Sequence, residues 1–276
     1  MKVKVSLFDH DVASYYVKVI SPIGVICSIV FIAVDIPPYI KCYCFIGIIF
    51  SLALIYFGVW IYANCSKQKK LSVDGSTLLV RVGDIFQENS LIVIPFNEYF
   101  DTQVDDEIIS RRSLNGQFIE RYVQDRHALD TEITNDLRLE KHIVLPVNRE
   151  QSSTKPQYEL GSIHKFEDKY FLLAFSHFNG NSEAYLSMRD YVNCLMTMWE
   201  EIDILYAGRS VVIPLLGGGI TRFRNMSHIS DEELLQLIIW SFRISGVKFS
   251  PPAKITIVIS EQASKKINFF KLHDFD

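Results

Sequence analysis

The sequence has no excess of positive charge. Its 28 Lys and Arg stand against 32 Asp and Glu, a formal charge of −4. A surface built for nucleic acid needs clustered basic residues, so none is expected as a partner. Metal-ligand spacing is also missing. The seven histidines are scattered without His-x-x-x-His, and Cys42-Tyr-Cys44 is not a zinc spacing, so no metal and no resident cofactor is expected. Cys27, Cys42, Cys44 and Cys65 lie in or beside apolar runs and only Cys194 stands elsewhere, which suits small reduced side chains rather than disulfides and fits a cytoplasmic setting. The chain lacks a Walker loop, the dinucleotide GxGxxG pattern and a nucleophile elbow, so those three chemistries are set aside. Charge of either sign is absent from Val19–Val34 and from Cys42–Ala63.

Those two stretches divide the chain. The first 71 residues carry a balance of +4 and the remaining 205 carry −8. Cys42–Ala63 is long enough to cross about 30 Å of hydrocarbon at about 1.5 Å per residue. Val19–Val34 is shorter, but Lys18 can snorkel and Tyr15, Tyr16 and Tyr39 can sit at headgroups. Pro37 and Pro38 break the helix between them. We therefore expect a membrane domain over residues 1–71, with two transmembrane helices at about 17–36 and 42–63. Lysines 2, 4 and 18 precede the pair and lysines 67, 69 and 70 follow it, which puts both termini in the cytoplasm and makes the chain a multi-pass protein of the inner (cell) membrane. A cleaved signal peptide lacks its small-x-small site here, and a buried core hairpin would need polar residues on one side. Gly24, Gly47 and Gly58 with Ser21, Ser28 and Ser51 would allow close helix packing between copies, so a homo-oligomer in lipid is expected.

Residues 72–276 read differently, as short apolar strands alternating with helices. Strands are expected at Thr77–Val82, Leu91–Phe96, Ser162–Phe166, Tyr170–Ser176, Ser210–Leu215 and Lys254–Ser260, several of them continuous apolar runs that suit burial on both faces. Helices are expected over 103–140, from a cap at Ser182 to about Tyr206, from the capping box Ser230–Glu233 to about Ile244, and at the C-terminus. Cys65–Leu71 reads as a polar linker. The pattern argues a three-layer α/β/α domain with a mixed sheet.

Ligands of such sheets sit at the carboxyl ends of strands, and three ends are notable. Gly83-Asp84-Ile85 places a carboxylate at a turn, where it can accept from an amino group such as that of adenine; an ordinary turn has the same sequence. Pro95-Phe96-Asn97-Glu98-Tyr99-Phe100-Asp101-Thr102 offers rings to stack and an amide for ribose hydroxyls, or simply packs Phe96 and Phe100 into the core. Leu215-Leu216-Gly217-Gly218-Gly219-Ile220-Thr221-Arg222-Phe223 can present backbone N–H groups to a diphosphate, or serve as a plain turn. Tyr191, Met196, Met198 and Trp199 read as core.

Together, in order and approximate spacing over Ser72–Phe270, the three ends resemble a macro domain, the fold that binds ADP-ribose. Gly83-Asp84-Ile85 is similar to the segment whose Asp reads adenine, Ile94–Asn97 to the Asn-containing loop near the distal ribose, and Ile213–Phe223 to the diphosphate loop. The ligand-binding set implied is Gly83, Asp84, Ile85, Pro95, Phe96, Asn97, Tyr99, Phe100, Asp101 and Leu216 through Phe223. The Asn-Ala-Ala-Asn segment and glycine run of active hydrolases are absent, which weighs against catalysis. Two spans followed by such a domain resemble the membrane-macro effectors of Thoeris-type bacterial anti-phage defence. That resemblance implies a TIR-domain partner enzyme that makes an ADP-ribose-derived signal from NAD, and an effector that binds it, oligomerises and disrupts the membrane. A membrane-anchored ADP-ribosyl or nucleotide hydrolase, with Asn97 or Asp101 positioning water, and a tethered interaction module are the alternatives.

Overall fold

The structure is a computed structural model and describes residues 3–33, 37–144, 155–178, 183–219, 221–224 and 229–275. Two long helices come first, α1 (His10–Ala33) and α2 (Pro38–Cys65). Both are long and apolar enough to cross a membrane, and their apolar windows are unburied. Each is longer than the sequence suggested. α1 starts at His10, well before the charge-free run, and includes Pro22. α2 begins with Pro38, a residue tolerated in a first helical turn because its missing N–H has no intrahelical partner there. Tyr16 ties the pair together: its hydroxyl donates to the Leu52 carbonyl at 3.1 Å and its ring meets Tyr56 edge-on at 5.1 Å.

The stretch expected to be a linker is not one. Only Ser66 and Lys67 separate α2 from β1 (Gln68–Val73). The other strands are β2 (Ser76–Val82), β3 (Leu91–Asn97), β4 (Ile163–Phe166), β5 (Tyr170–Phe178), β6 (Ala184–Leu186), β7 (Val211–Pro214), β8 (Arg222–Phe223) and β9 (Ile255–Ile259). They form one sheet in the order β1-β2-β9-β7-β3-β5-β6-β8, with β4 paired to β5. The central pairings from β2 to β5 are parallel, and β1, β4 and β6 join antiparallel. Because β1 runs against β2, its first residue Gln68 lies opposite Arg81, at the carboxyl end of β2.

Alternation along the central strands sorts side chains onto two faces. Leu91, Val93, Phe171, Leu173, Val211 and Ile213 pack under α5 (Met188–Leu205) and α6 (Asp231–Ser245). Ile92, Ile94, Phe96, Leu172, Ala174 and Val212 pack under α3 (Leu114–Tyr122) and α4 (Arg126–Thr134). That is the expected three-layer, mixed-sheet architecture. The helical region expected over 103–140 holds α3 and α4, preceded by a loop in which Val104 bridges to Ile109. Helix α5 is capped by a Ser187–Asp190 capping box; Ser182, the expected cap, lies outside the described residues. The Ser230–Glu233 box opens α6 as expected, and Gly246, with φ 72°, closes it.

A third, small cluster joins the hairpin to the domain. Val5, Val12, Val59 and Ala63 pack with Phe270. Asn64, buried, accepts from the amides of Lys4 and Val5 at 2.8 and 3.0 Å. The Lys4 ammonium donates to the Ser264 carbonyl at 2.6 Å, in the short helix α7 (Glu261–Ser264).

Candidate functional site

Two adjoining cavities open at the carboxyl ends of β2, β9, β7 and β3, where parallel strands leave their last backbone groups and following loops facing outward. The larger, about 530 Å³, lies against Asp84, Phe86, Arg121, Gly218 and Ser260. The smaller, about 240 Å³, lies against Phe96, Asn97, Ser110, Phe178, Leu216 and Thr221. Five residues border both and form the waist between them: Arg112, Leu114, Pro214, Leu215 and Gly219.

Gly83, Asp84 and Ile85 all line the larger cavity. Gly83 is fixed by its amide, which donates to the Ile259 carbonyl of β9 at 3.0 Å. Asp84 caps a single 3-10 turn, Ile85–Gln87, by accepting the Phe86 amide at 3.0 Å. One carboxylate oxygen is thereby held while the group stays exposed. Phe86 carries the Arg121 guanidinium 5.1 Å over its ring, and Arg121 in turn donates to Gln117 at 3.1 Å.

Only the first part of the second loop reaches a cavity. Pro95, Phe96 and Asn97 line the smaller one; Tyr99, Phe100 and Asp101 line neither. Phe100 is fully buried, takes φ 48°, and meets Phe96 and Tyr158 at 6.0 and 5.4 Å. So the core-packing reading holds for this ring. Next to it, Glu98 is buried and collects three donors: Gln157 at 2.7 Å, the Phe178 amide at 3.1 Å and the His177 ring at 2.7 Å. Burial alone would lower the His177 pKa. The Glu98 hydrogen bond and the charges of Glu98 and Asp190 outweigh it, holding the imidazole above its ordinary value.

The glycine loop divides its labour. Gly217 lies at φ 83°, and a Cβ there would come within 3.0 Å of the Phe223 ring, so its backbone is a tight bend only glycine fits well. The Gly218 amide donates back to the Leu215 carbonyl at 3.3 Å. No described group accepts from the Gly219 amide, and open space surrounds its Cα. Leu216 is buried and its carbonyl accepts from the Tyr191 hydroxyl at 3.0 Å; burial raises the Tyr191 pKa well, keeping it a donor. Thr221 lines the smaller cavity. Arg222 pairs with Glu183, and Phe223 packs edge-on against Tyr191 at 5.5 Å; neither borders either of the two cavities. Ile220 lies outside the described residues.

Several cleft residues carry no local signal in the sequence. Arg112, Ser113, Leu114, Asn115, Gln117 and Arg121 come from α3 and the loop before it, brought to the cleft by packing Phe118 and Ile119 on the sheet. Ser260, Glu261, Gln262 and Ala263 follow β9. That last segment also touches the membrane hairpin side: Glu261 pairs with Lys67 at 3.1 Å and the Ser264 carbonyl takes Lys4. Among the described residues, no cluster of His, Cys, Asp and Glu could hold a metal ion.

Residues 78–260 match the family model described as Thoeris protein ThsA, macro domain. The chain is also similar to the Thoeris protein ThsA of Bacillus amyloliquefaciens (strain Y2). It is 45% identical over 213 residues, which cover 75% of this chain and 70% of that protein. Two solved structures of an Oceanobacillus iheyensis macrodomain resemble it more distantly, each at 12% identity over 72% of this chain. The one with MES bound has a TM-score of 0.43 over 93% of its own chain, and the one with ADP 0.44 over 92%.

Proposed function

This chain belongs to the Thoeris ThsA macro-domain family, and from that premise we propose that it is a membrane-anchored effector that senses an ADP-ribose-derived nucleotide. In this reading residues 1–71 anchor the chain and residues 72–276 bind the signal. The single observation that carries it is the pair of adjoining cavities, with a carboxylate at one end, a glycine turn at the waist and a mixed apolar and hydroxyl-lined chamber at the other. That sequence of environments matches a ligand made of adenine, a diphosphate, and a second ribose with a further group. The adenine amino group would meet Asp84, beside the ring of Phe86. The diphosphate would cross the waist at Gly219, and the distal ribose would enter the smaller cavity beside Asn97, Ser110 and Thr221.

Binding without turnover is favoured by the chemistry of the smaller cavity. Among the described residues, no carboxylate borders it. Asp101, the nearest acid of its loop, is buried and hydrogen-bonded to Asn97 at 2.8 Å, so it is poorly disposed to activate water. The signal would come from a partner enzyme of the same defence system, a TIR-domain protein consuming NAD. Occupancy would be passed on through residues 260–264, of which 260–263 border the larger cavity while Glu261 and Ser264 hold Lys67 and Lys4. The hairpins of several copies would then associate and disrupt the bilayer. Such a shift requires that the ligand bind the assembled state more tightly than the resting one.

The test uses the full chain in detergent and in vesicles. Titration calorimetry with ADP-ribose derivatives should show binding, chromatography of the ligand should show it unchanged, and dye-loaded vesicles should leak only when ligand is added. Hydrolysis of the ligand would favour the membrane-anchored hydrolase instead.

A further inference from the structure

Resting on that reading, we propose that Arg112 is the charge-selective residue of the site, a side chain that grips the anionic bridge of the ligand where the two cavities meet. Of the five residues that border both cavities, Leu114, Pro214, Leu215 and Gly219 are uncharged, and Arg112 alone carries a charge. Anything that threads both chambers passes beside this cation at the waist, while Arg121 borders the larger chamber alone.

Its surroundings leave the guanidinium available. Arg81 pairs with Glu88, Arg111 with Asp106 and Glu120, Arg138 with Glu201, Arg209 with Asp168 and Arg222 with Glu183. Among the described residues no carboxylate pairs with Arg112, although acids outnumber bases in the chain. Its backbone, by contrast, is held. The Arg112 amide donates to the Ser110 hydroxyl at 3.3 Å, and its carbonyl accepts from the Gln117 side chain at 3.1 Å. The exposed side chain thus rises from a fixed base at a waist that it shares with Gly219, whose amide has no described acceptor. A planar guanidinium with a fork of donors suits a phosphate better than an ammonium does, because it can bond two oxygens at once. Gly219 and Arg112 at the same waist would act together, the glycine turn supplying shape and Arg112 supplying charge.

Adenosine and a ligand with a diphosphate should therefore respond differently to the same substitution. The full chain in detergent is titrated with ADP-ribose, with adenosine and with inorganic pyrophosphate, as the parent and as R112Q and R112K. Circular dichroism checks that each variant melts as the parent does. R112Q is expected to weaken ADP-ribose and pyrophosphate tenfold or more, to flatten the salt dependence of both, and to leave adenosine within twofold. R112K is expected to fall between. If R112Q binds ADP-ribose within twofold of the parent, the role of Arg112 is overturned and the nucleotide-sensing reading stands. A parent that binds pyrophosphate through Arg112 but not ADP-ribose overturns the sensing reading and keeps the anion grip. A parent that binds neither overturns both.

Discussion

Asn97 and Asp101 are bonded to each other inside the protein, and of the two only Asn97 also borders the cleft. The Asn97 amide nitrogen donates to the Asp101 carboxylate at 2.8 Å, and its oxygen accepts the backbone amides of Tyr99 and Asp101 at 3.1 Å each. Both residues are buried. The loop that follows β3 is therefore shaped by its own side chains, and the face it shows to the smaller cavity is a product of that internal bonding.

Asn97→Ala should accordingly act first on stability. It removes the acceptor of two buried amides and a donor to a buried carboxylate, at a cost of about 1–3 kcal/mol. A lowered melting temperature by scanning calorimetry is the check. Asn97→Leu, which also fails to bond the loop, should melt equally early; a parent-like melt for both would contradict the assigned bonding.

Gly217 and Gly219 should separate folding from binding. Gly217→Ala forces a side chain into φ 83° and against Phe223, a strain of about 1–2 kcal/mol before any clash is counted. Gly219→Glu meets open space, so the fold should melt like the parent. Its carboxylate would stand beside the waist and repel a diphosphate, and ADP-ribose affinity should fall at least tenfold in a titration.

Stability should vary with pH through His177. Its folded pKa is raised by Glu98 and Asp190 over the opposing effect of burial. The bonded imidazolium therefore contributes fully below the unfolded value of about 6.5, and the contribution is lost as pH rises through the raised value. Melting temperatures measured from about pH 6 to pH 8 should fall for the parent, and His177→Gln should flatten that slope. An equal slope in the variant would assign the effect elsewhere.

Asn64→Ala tests the link between the domain and its hairpin. The side chain that accepts the Lys4 and Val5 amides is lost, releasing the N-terminal segment from the end of α2. Affinity for ADP-ribose should stay within twofold, because Asn64 borders neither cavity. Ligand-dependent leakage of vesicles should drop sharply.

The buried strands were readable because burial on both faces removes the need for polar residues. Leu91–Asn97, Val211–Pro214 and Ile255–Ile259 are nearly continuous apolar runs. β1 was not, since an edge strand can carry Lys69 and Lys70 while placing Leu71 and Val73 in the core. The region 103–140 was expected to be helical throughout, but residues 103–113 form a loop, because apolar spacing alone does not mark where a helix begins. There the Gly116 Cα lies so near the Ser110 carbonyl that a Cβ would sit at 2.3 Å, a close turn into α3 that apolar spacing does not signal. Asp84 and the glycine turn follow directly from strand ends and could be located by position. Arg112 could not, because folding of the sheet brings it to the cleft from a loop with no strand of its own.

The pairing of Gln68 with Arg81, and the bond from the Val82 amide to the Lys67 carbonyl at 2.9 Å, put the junction with α2 on the same edge of the sheet as the cleft. If α1 and α2 anchor the chain as proposed, a ligand reaches the cleft at the end of the sheet from which they leave. An anionic leaflet at roughly −30 mV repels a doubly negative solute, lowering its concentration there about tenfold. The same protein would thus be less sensitive in an acidic-lipid vesicle than in a zwitterionic one. Added salt would narrow the gap, so in the proposed sensing role lipid composition would shift the ligand concentration needed for a response.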